Sequence, residues 1–272
     1  MFGRRVITTF GLLGAEGGGG GLPTGNLELD VNPAIGAFQD SSSSVPCTNN
    51  TACYTLANQG TTFNFQQSSS SRRPQWFSSS AAQNNKPYLD FTEDFMLSQG
   101  GAPLGVMDGD DGSLYCVVKF DSGASTYDTI MDKNTDWDWD DGWRLAVNTS
   151  EDWVTNVGGG GQSENEIENE DTTTTQAEVY TLRFRSSTTP YINTSFSSWS
   201  IGNTETGTTT GFANKSTPFK HIMFGTSWNS SGTGASSFRW NGLVFRILGY
   251  NAFHDNATHD SIVATLKTEY GI

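Results

Sequence analysis

Positive charge is scarce in this chain, whose 272 residues carry 15 Lys and Arg against 29 Asp and Glu, for a formal net charge of −14. A nucleic-acid footprint, which needs a basic face to meet phosphates, is excluded. Charge of either sign is low, at 16% of residues, where globular chains average about 25%. Long hydrophobic runs are missing too: none approaches the roughly 18 apolar residues of a membrane-spanning helix. Cysteine is limited to Cys47, Cys53 and Cys116, which cannot all pair within one chain. Cys116, in the apolar run Leu114-Tyr115-Cys116-Val117-Val118, reads as an inert, buried strand thiol. Cys47 and Cys53 bracket the turn-rich Thr48-Asn49-Asn50-Thr51-Ala52. They are close enough for a small-loop disulfide in an oxidising medium, and a pair of free thiols is an equal alternative.

Against these shortages stand 31 Gly and an aromatic content of 12%, with 8 Trp and 17 Phe. The aromatics can bury a large core, so general disorder is excluded despite the Ser, Thr, Asn and Gly excess. Such a composition suits many short strands joined by turns, and the length suits one all-β domain with an arm. At the amino end, Arg4-Arg5 and the run Val6 to Leu13 have the outline of an export signal. Thr8, Thr9 and Gly11 interrupt its apolar part, and Leu13 stands where cleavage wants a small residue. The glycine run Gly17 to Gly21 has maximal backbone freedom, so a binding partner is expected to order it. Residues 1–25 are expected to be an anchoring arm, with Arg4, Arg5, Phe10, Leu12 and Leu13 making its contacts, and residues 26–272 the domain.

From Leu27 onward, short apolar or alternating runs predict strands at Tyr88–Phe91, Leu114–Phe120, Trp143–Val147, Val179–Phe184, His221–Phe224 and Leu243–Leu248. The clusters Ser41–Ser44, Ser68–Ser71, Gly158–Gly161, Thr172–Thr175 and Thr208–Thr210 predict surface loops. One helix is legible near the carboxyl end. Ile262, Val263, Leu266 and Tyr270 share one face of a 3.6-residue period, Asp255, Asn256 or Thr258 can cap its start, and Gly271 can end it.

Several stretches resemble the concanavalin A-like lectin/glucanase superfamily in its laminin G-like form, found in phage structural proteins and bacterial surface proteins. Leu27-Glu28-Leu29-Asp30 and Thr55-Leu56-Ala57-Asn58-Gln59-Gly60 resemble that family's L-x-L-D strand and its following turn, with Leu56 in place of the usual Trp. Ser70-Ser71-Arg72-Arg73-Pro74-Gln75-Trp76, Lys86-Pro87-Tyr88-Leu89-Asp90-Phe91 and Asp94-Phe95-Met96 resemble its most specific segment. Trp240-Asn241-Gly242-Leu243-Val244-Phe245-Arg246-Ile247-Leu248 resembles its closing strand, with Arg246 for the usual Glu. Tyr250-Asn251 through Glu269-Tyr270-Gly271-Ile272 resembles its ending, with Glu269 for Lys. The resemblance implies a two-sheet antiparallel jelly-roll sandwich, which the alternation of the strands supports independently. Fold alone does not give function, because this sandwich carries lectins, glycosidases and structural modules.

Hydrolysis of a glycoside needs two carboxyls held at about 5–5.5 Å or 6.5–9.5 Å, and the glucanase E-x-D-x-x-E strand is missing. The nearest run, Glu28-Leu29-Asp30-Val31-Asn32-Pro33, lacks its second Glu and is stopped by Pro33. Glu164, Glu166, Glu168 and Glu170 read as a solvated acidic loop. His254 and His259 point roughly 140° apart on a helix and cannot share a metal. The expectation is no enzyme and no cofactor, with calcium at Asp108, Asp110 and Asp111 as the alternative. The densest aromatic and acidic stretch holds Trp137, Asp138, Trp139 and Trp143. It is either a platform on which a glycan stacks or a strand whose Trp side chains enter the core while the acids face water, the core reading being favoured. The expectation is a non-enzymatic virion structural protein of a tailed phage, displayed on the head surface or in a fibre and assembled in the host cytoplasm. Its partners would be capsid or tail proteins through the arm, further copies of itself, and a host glycan, with neither nucleic acid nor membrane. A carbohydrate-binding lectin module of a bacterial surface protein is the alternative, and a glycoside hydrolase the third.

Overall fold

Alternation of apolar and polar residues in runs of five to ten leaves one face of each strand to be covered, and two such sheets cover one another. A computed structural model describes residues 21–60, 63–99, 111–121, 127–133, 143–157, 166–169, 176–186, 193–200, 203–210, 222–227, 235 and 237–272. In chain order the elements begin β1 (Leu27–Val31), α1 (Pro33–Gly36), β2 (Ala37–Phe38), β3 (Thr51–Ala52), β4 (Thr55–Ala57), β5 (Asn64–Gln66) and β6 (Gln75–Ser80). There follow β7 (Lys86–Asp90), β8 (Met96–Ser98), β9 (Asp111–Phe120), β10 (Tyr127–Asp132), β11 (Trp143–Asn148) and β12 (Trp153–Val157). The chain closes with β13 (Glu166–Asn169), β14 (Glu178–Ser186), β15 (Asn193–Ser200), β16 (Asn203–Thr210), β17 (Met223–Phe224), β18 (Gly242–Tyr250) and α2 (Asn256–Tyr270).

The first sheet runs β16-β15-β14-β9-β18-β7-β6-β3, with β1 also on β18; the second runs β13-β12-β11-β10-β17-β8-β5-β4-β2. Neighbouring strands are antiparallel throughout the described ladders. The expected two-sheet antiparallel sandwich with one carboxyl-terminal helix is the architecture found. Between the sheets, Leu114, Cys116, Leu182 and Ile247 of one meet Phe65, Met131, Trp143 and Leu145 of the other in a single apolar cluster. Trp153 of the second sheet stacks on Tyr180 of the first at 4.5 Å between ring centroids, fastening the layers.

The other face of the first sheet is closed by α2. Ile262, Val263, Leu266 and Tyr270 pack on Tyr115, Val117, Val179 and Phe245, as the 3.6-residue period predicts. Asp255 accepts the Thr258 N–H at 2.8 Å to start the helix, and Gly271, at φ 70°, donates its N–H to Lys267 O to end it. Under the helix lie the two histidines. His254 Nδ1 shares a hydrogen bond with Tyr115 Oη at 2.9 Å, and His259 contacts Thr181 and Asp260. Pro33 does stop β1, because Asn32 caps the short α1 that Pro33 opens.

Two loop expectations are corrected. Glu166–Asn169 is the edge strand β13 paired with β12, since Glu-Ile-Glu-Asn already alternates in the strand manner. Thr208–Thr210 ends β16, which pairs with β15, where β-branched threonines are at home. The arm residues Arg4, Arg5, Phe10, Leu12 and Leu13 lie outside the described residues.

Candidate functional site

The second sheet carries a mixed polar and apolar row on the face turned away from the common core, most of it buried. Arg144 of β11, Asp132 of β10, Met223 of β17, Leu97 of β8, Gln66 of β5 and Thr55 of β4 stand opposite one another in one cross-strand row. Their chain neighbours Trp143, Met131, Phe224, Met96, Phe65 and Leu56 enter the core, so alternation puts this row on the outer face. Along one rim of that face, segments far apart in sequence converge. The stretch before β18 is laid on β10 by a parallel bridge between Thr129 and Arg239. Trp240, fully buried, donates its N–H to Gly225 O at 3.0 Å, and Gly225 donates to Ile130 O at 2.7 Å. Gly225 has φ +82°, and a Cβ there would come within 2.6 Å of both Asp94 O and the Phe91 ring. A glycine is what lets the β7–β8 connection approach so closely.

These anchors leave Phe238, Arg239, Tyr127, Asp94 and Phe95 half-buried at the rim. Phe238 meets Tyr127 edge to face at 6.1 Å. The Arg144 guanidinium lies 4.8 Å over the other neighbour in this stack, the Tyr127 ring, and Arg239 lies 5.9 Å from the Phe95 ring centre. Glu93, the most exposed of the group, sits 4.0 Å from both Arg72 and Arg239. Arg72 O accepts the Phe95 N–H at 3.2 Å. Burial pushes the Asp94 carboxyl up to about 7, outweighing the pull of Arg72 and Arg239. At neutral pH this group is therefore divided between carboxylic acid and carboxylate.

Chemically the rim offers aromatic faces for the C–H side of a ring, guanidinium donors, and a carboxyl able to donate or accept. None of Arg72, Glu93, Asp94, Phe95, Tyr127, Phe238 and Arg239 was singled out as a site residue by sequence reasoning. Their positions follow no spacing pattern; the bridge of β10 to residue 239 and the close approach at Gly225 bring them together.

Of the residues the sequence did point to, Trp143 is fully buried among core side chains. The glycan-platform expectation for it is corrected, since an enclosed indole has no face to offer a sugar. Trp137, Asp138 and Trp139 lie outside the described residues, in the connection from β10 to β11. The base of that connection is closed by the Lys133 N–H donating to Trp143 O at 2.9 Å. Asp108 and Asp110 also lie outside the described residues. Asp111 begins β9 with its carboxylate 3.9 Å from Arg185.

No family model matches this chain, and no curated protein does. Solved structures do share its shape. A Trypanosoma rangeli sialidase in complex with sialic acid aligns over 92% of this chain and 34% of its own, with 10% identity and a TM-score of 0.55. The binding domain of botulinum neurotoxin DC in complex with SialylT aligns over 89% of this chain and 52% of its own, with 11% identity and a TM-score of 0.50. The chain thus spans about a third of the length of the sialidase and about half of the toxin domain. At such identities the likeness is one of fold.

Proposed function

We propose that this chain is a non-enzymatic glycan-recognition module, displayed on the surface of a tailed-phage particle. The observation that carries the glycan reading is the half-buried rim of Tyr127, Phe238 and Phe95 interleaved with Arg72, Arg239 and Asp94. Aromatic faces with a few converging polar groups suit a sugar ring and its hydroxyls. Support of a coarser kind comes from the shared sandwich, because the neighbouring solved structures hold sialic acid and SialylT. The virion placement rests on the resemblance of Arg72–Trp76, Lys86–Phe91 and Trp240–Leu248 to sandwich domains of phage structural proteins.

Binding of the purified full chain to a glycan array tests the first part. Phe238→Ala and Arg239→Ala are expected to lose at least tenfold in affinity, the effect of about 1.4 kcal/mol, with melting temperatures close to that of the parent. Binding that survives both changes removes the rim from the reading. Release of sialic acid or reducing sugar from the same glycans would overturn the non-enzymatic part. Antibody raised to residues 26–272 is expected to label intact particles of the source virus, and failure to label them returns the module to a bacterial surface.

A further inference from the structure

The five residues between Cys47 and Cys53 form a turn that folds back on itself. Thr48 donates its N–H to Thr51 Oγ1 at 3.0 Å, the Thr51 hydroxyl donates to Thr48 O at 2.6 Å, and Asn50 takes a left-handed conformation at φ 61°. The two ends of the turn are both tied to β2. Cys47 donates its N–H to Ala37 O at 2.9 Å, and Tyr54, next to Cys53, donates to Phe38 O at 2.8 Å. Both side chains enter the same apolar cluster, where the two thiols influence one another's ionisation. Their surroundings differ. Cys53 is fully enclosed, with its thiol also donating to Thr55 O at 3.2 Å, whereas Cys47 keeps 8% of its surface open to solvent. Cys116 is a third free thiol, fully buried in the core.

We propose that Cys47 and Cys53 form a redox-active dithiol that closes to a disulfide by exchange with a small external disulfide such as oxidised glutathione. Cys47 is the attacking sulfur. Its thiolate displaces one glutathione thiolate and forms a mixed disulfide. Cys53 then loses its proton and attacks the Cys47 sulfur, expelling the second glutathione. The protein dithiol is oxidised by two electrons, one glutathione disulfide is reduced to two thiols, and the two protons end on those thiols.

The charge distribution fits this order. Cys53 and the Thr51 hydroxyl hold the Cys47 thiol below its ordinary range against the effect of burial. Cys53 is held well above it, first by Cys47 and then by burial. Once Cys47 is in the mixed disulfide, the negative sulfur that raised Cys53 is gone. The Arg73 guanidinium near Cys53 then favours its thiolate. Burial raises the Cys116 thiol far above the usual range and takes it out of the exchange.

Incubating the full chain with oxidised glutathione, then counting thiols after denaturation and mapping peptides by mass, tests the proposal. The free-thiol count is expected to fall from three to one, with a Cys47–Cys53 linked peptide and a melting temperature higher by roughly 5 °C. Cys53→Ser is expected to trap one glutathione on Cys47. Should that variant fail to fold, Cys47→Ser, at the more exposed position, is expected to keep two unmodified thiols. Three thiols persisting in the parent, glutathione remaining on parental Cys47, or a linkage involving Cys116 would each overturn the proposal.

Discussion

Replacing Asp94 by Asn keeps the shape of the side chain and removes its charge, so it isolates the electrostatics of the rim. Half-burial raises this carboxyl from 3.8 to about 7, with Arg72 and Arg239 pulling the other way and Asp90 and Glu93 adding to the rise. A folded pKa above the unfolded value means that the folded chain holds the proton more tightly. The resulting stability is complete below about pH 4 and is lost as pH rises through about 7. Three units at about 1.36 kcal/mol each set a ceiling near 4 kcal/mol. Solvent at the open side of the rim screens the charge, and about 1–2 kcal/mol is the realistic difference. In a chain of this length that corresponds to roughly 3–6 °C. Thermal melts of parent and Asp94→Asn are expected to coincide below about pH 4, to separate progressively as pH rises from there to about 7, and to stay apart by a constant amount above that, with the variant the more stable. A variant less stable at high pH would refute the reasoning. It would mean that Asp94 acts as an ion paired with Arg72 and Arg239, and that desolvation is the smaller effect.

Trp143→Ala is expected to cost about 3–5 kcal/mol of stability, as removal of an enclosed indole does, while a glycan array read below the lowered melting temperature shows unchanged preference. Burial holds His254 and His259 below their ordinary value, with Arg183 and the mutual repulsion of the two rings lowering His254 further. The unfolded chain therefore binds these protons more tightly, and stability is lost as pH falls below 6.5 through the folded values. His254→Gln is expected to flatten the acid limb of the melting curve, and an unchanged limb assigns it to other groups. Chelation with EDTA is expected to leave melting and glycan binding unaltered, given that Asp111 faces Arg185; a fall restored by calcium would revive the acidic-loop reading.

Local pattern carried far into the architecture. β9, β11, β14 and β18 each begin and end within three residues of the runs read as strands, because a strand enclosed on both faces is an unbroken apolar run. The helix was equally legible, since one apolar face and its caps are all within sixteen residues of each other. Two failures have a common cause. Glu166–Asn169 and Thr208–Thr210 are polar edge strands, whose backbone hydrogen bonds stabilise them without an apolar run to announce them. Departures from the resembled motif were visible as residues but not as interactions. Arg246, standing where Glu is usual, is fixed by Asp30 of β1 through Nε to Oδ1 at 2.8 Å and Nη2 to Oδ2 at 3.1 Å. That partner is 216 residues away and has no local signal.

The placement of the candidate site follows from which faces are already occupied. Each sheet has two faces, and one of each is spent on the common core. The outer face of the first sheet is apolar where it carries Tyr115, Val117, Val179 and Phe245, and α2 covers it with a matching stripe. A ligand there would have to displace the helix and expose several large side chains, at about 25 cal/mol for each Å² uncovered. On the second sheet the corresponding row mixes polar Arg144, Asp132, Gln66 and Thr55 with Met223 and Leu97, and Arg144, Asp132, Met223 and Thr55 are fully buried. With most of that row enclosed, the half-buried rim of Tyr127, Phe238, Arg239 and Asp94 is a place where aromatic surface and polar groups meet solvent among the described residues. Converting Gln66 or Leu97, on the same row but toward β4, is accordingly expected to leave rim binding intact, whereas changes at Arg239 remove it.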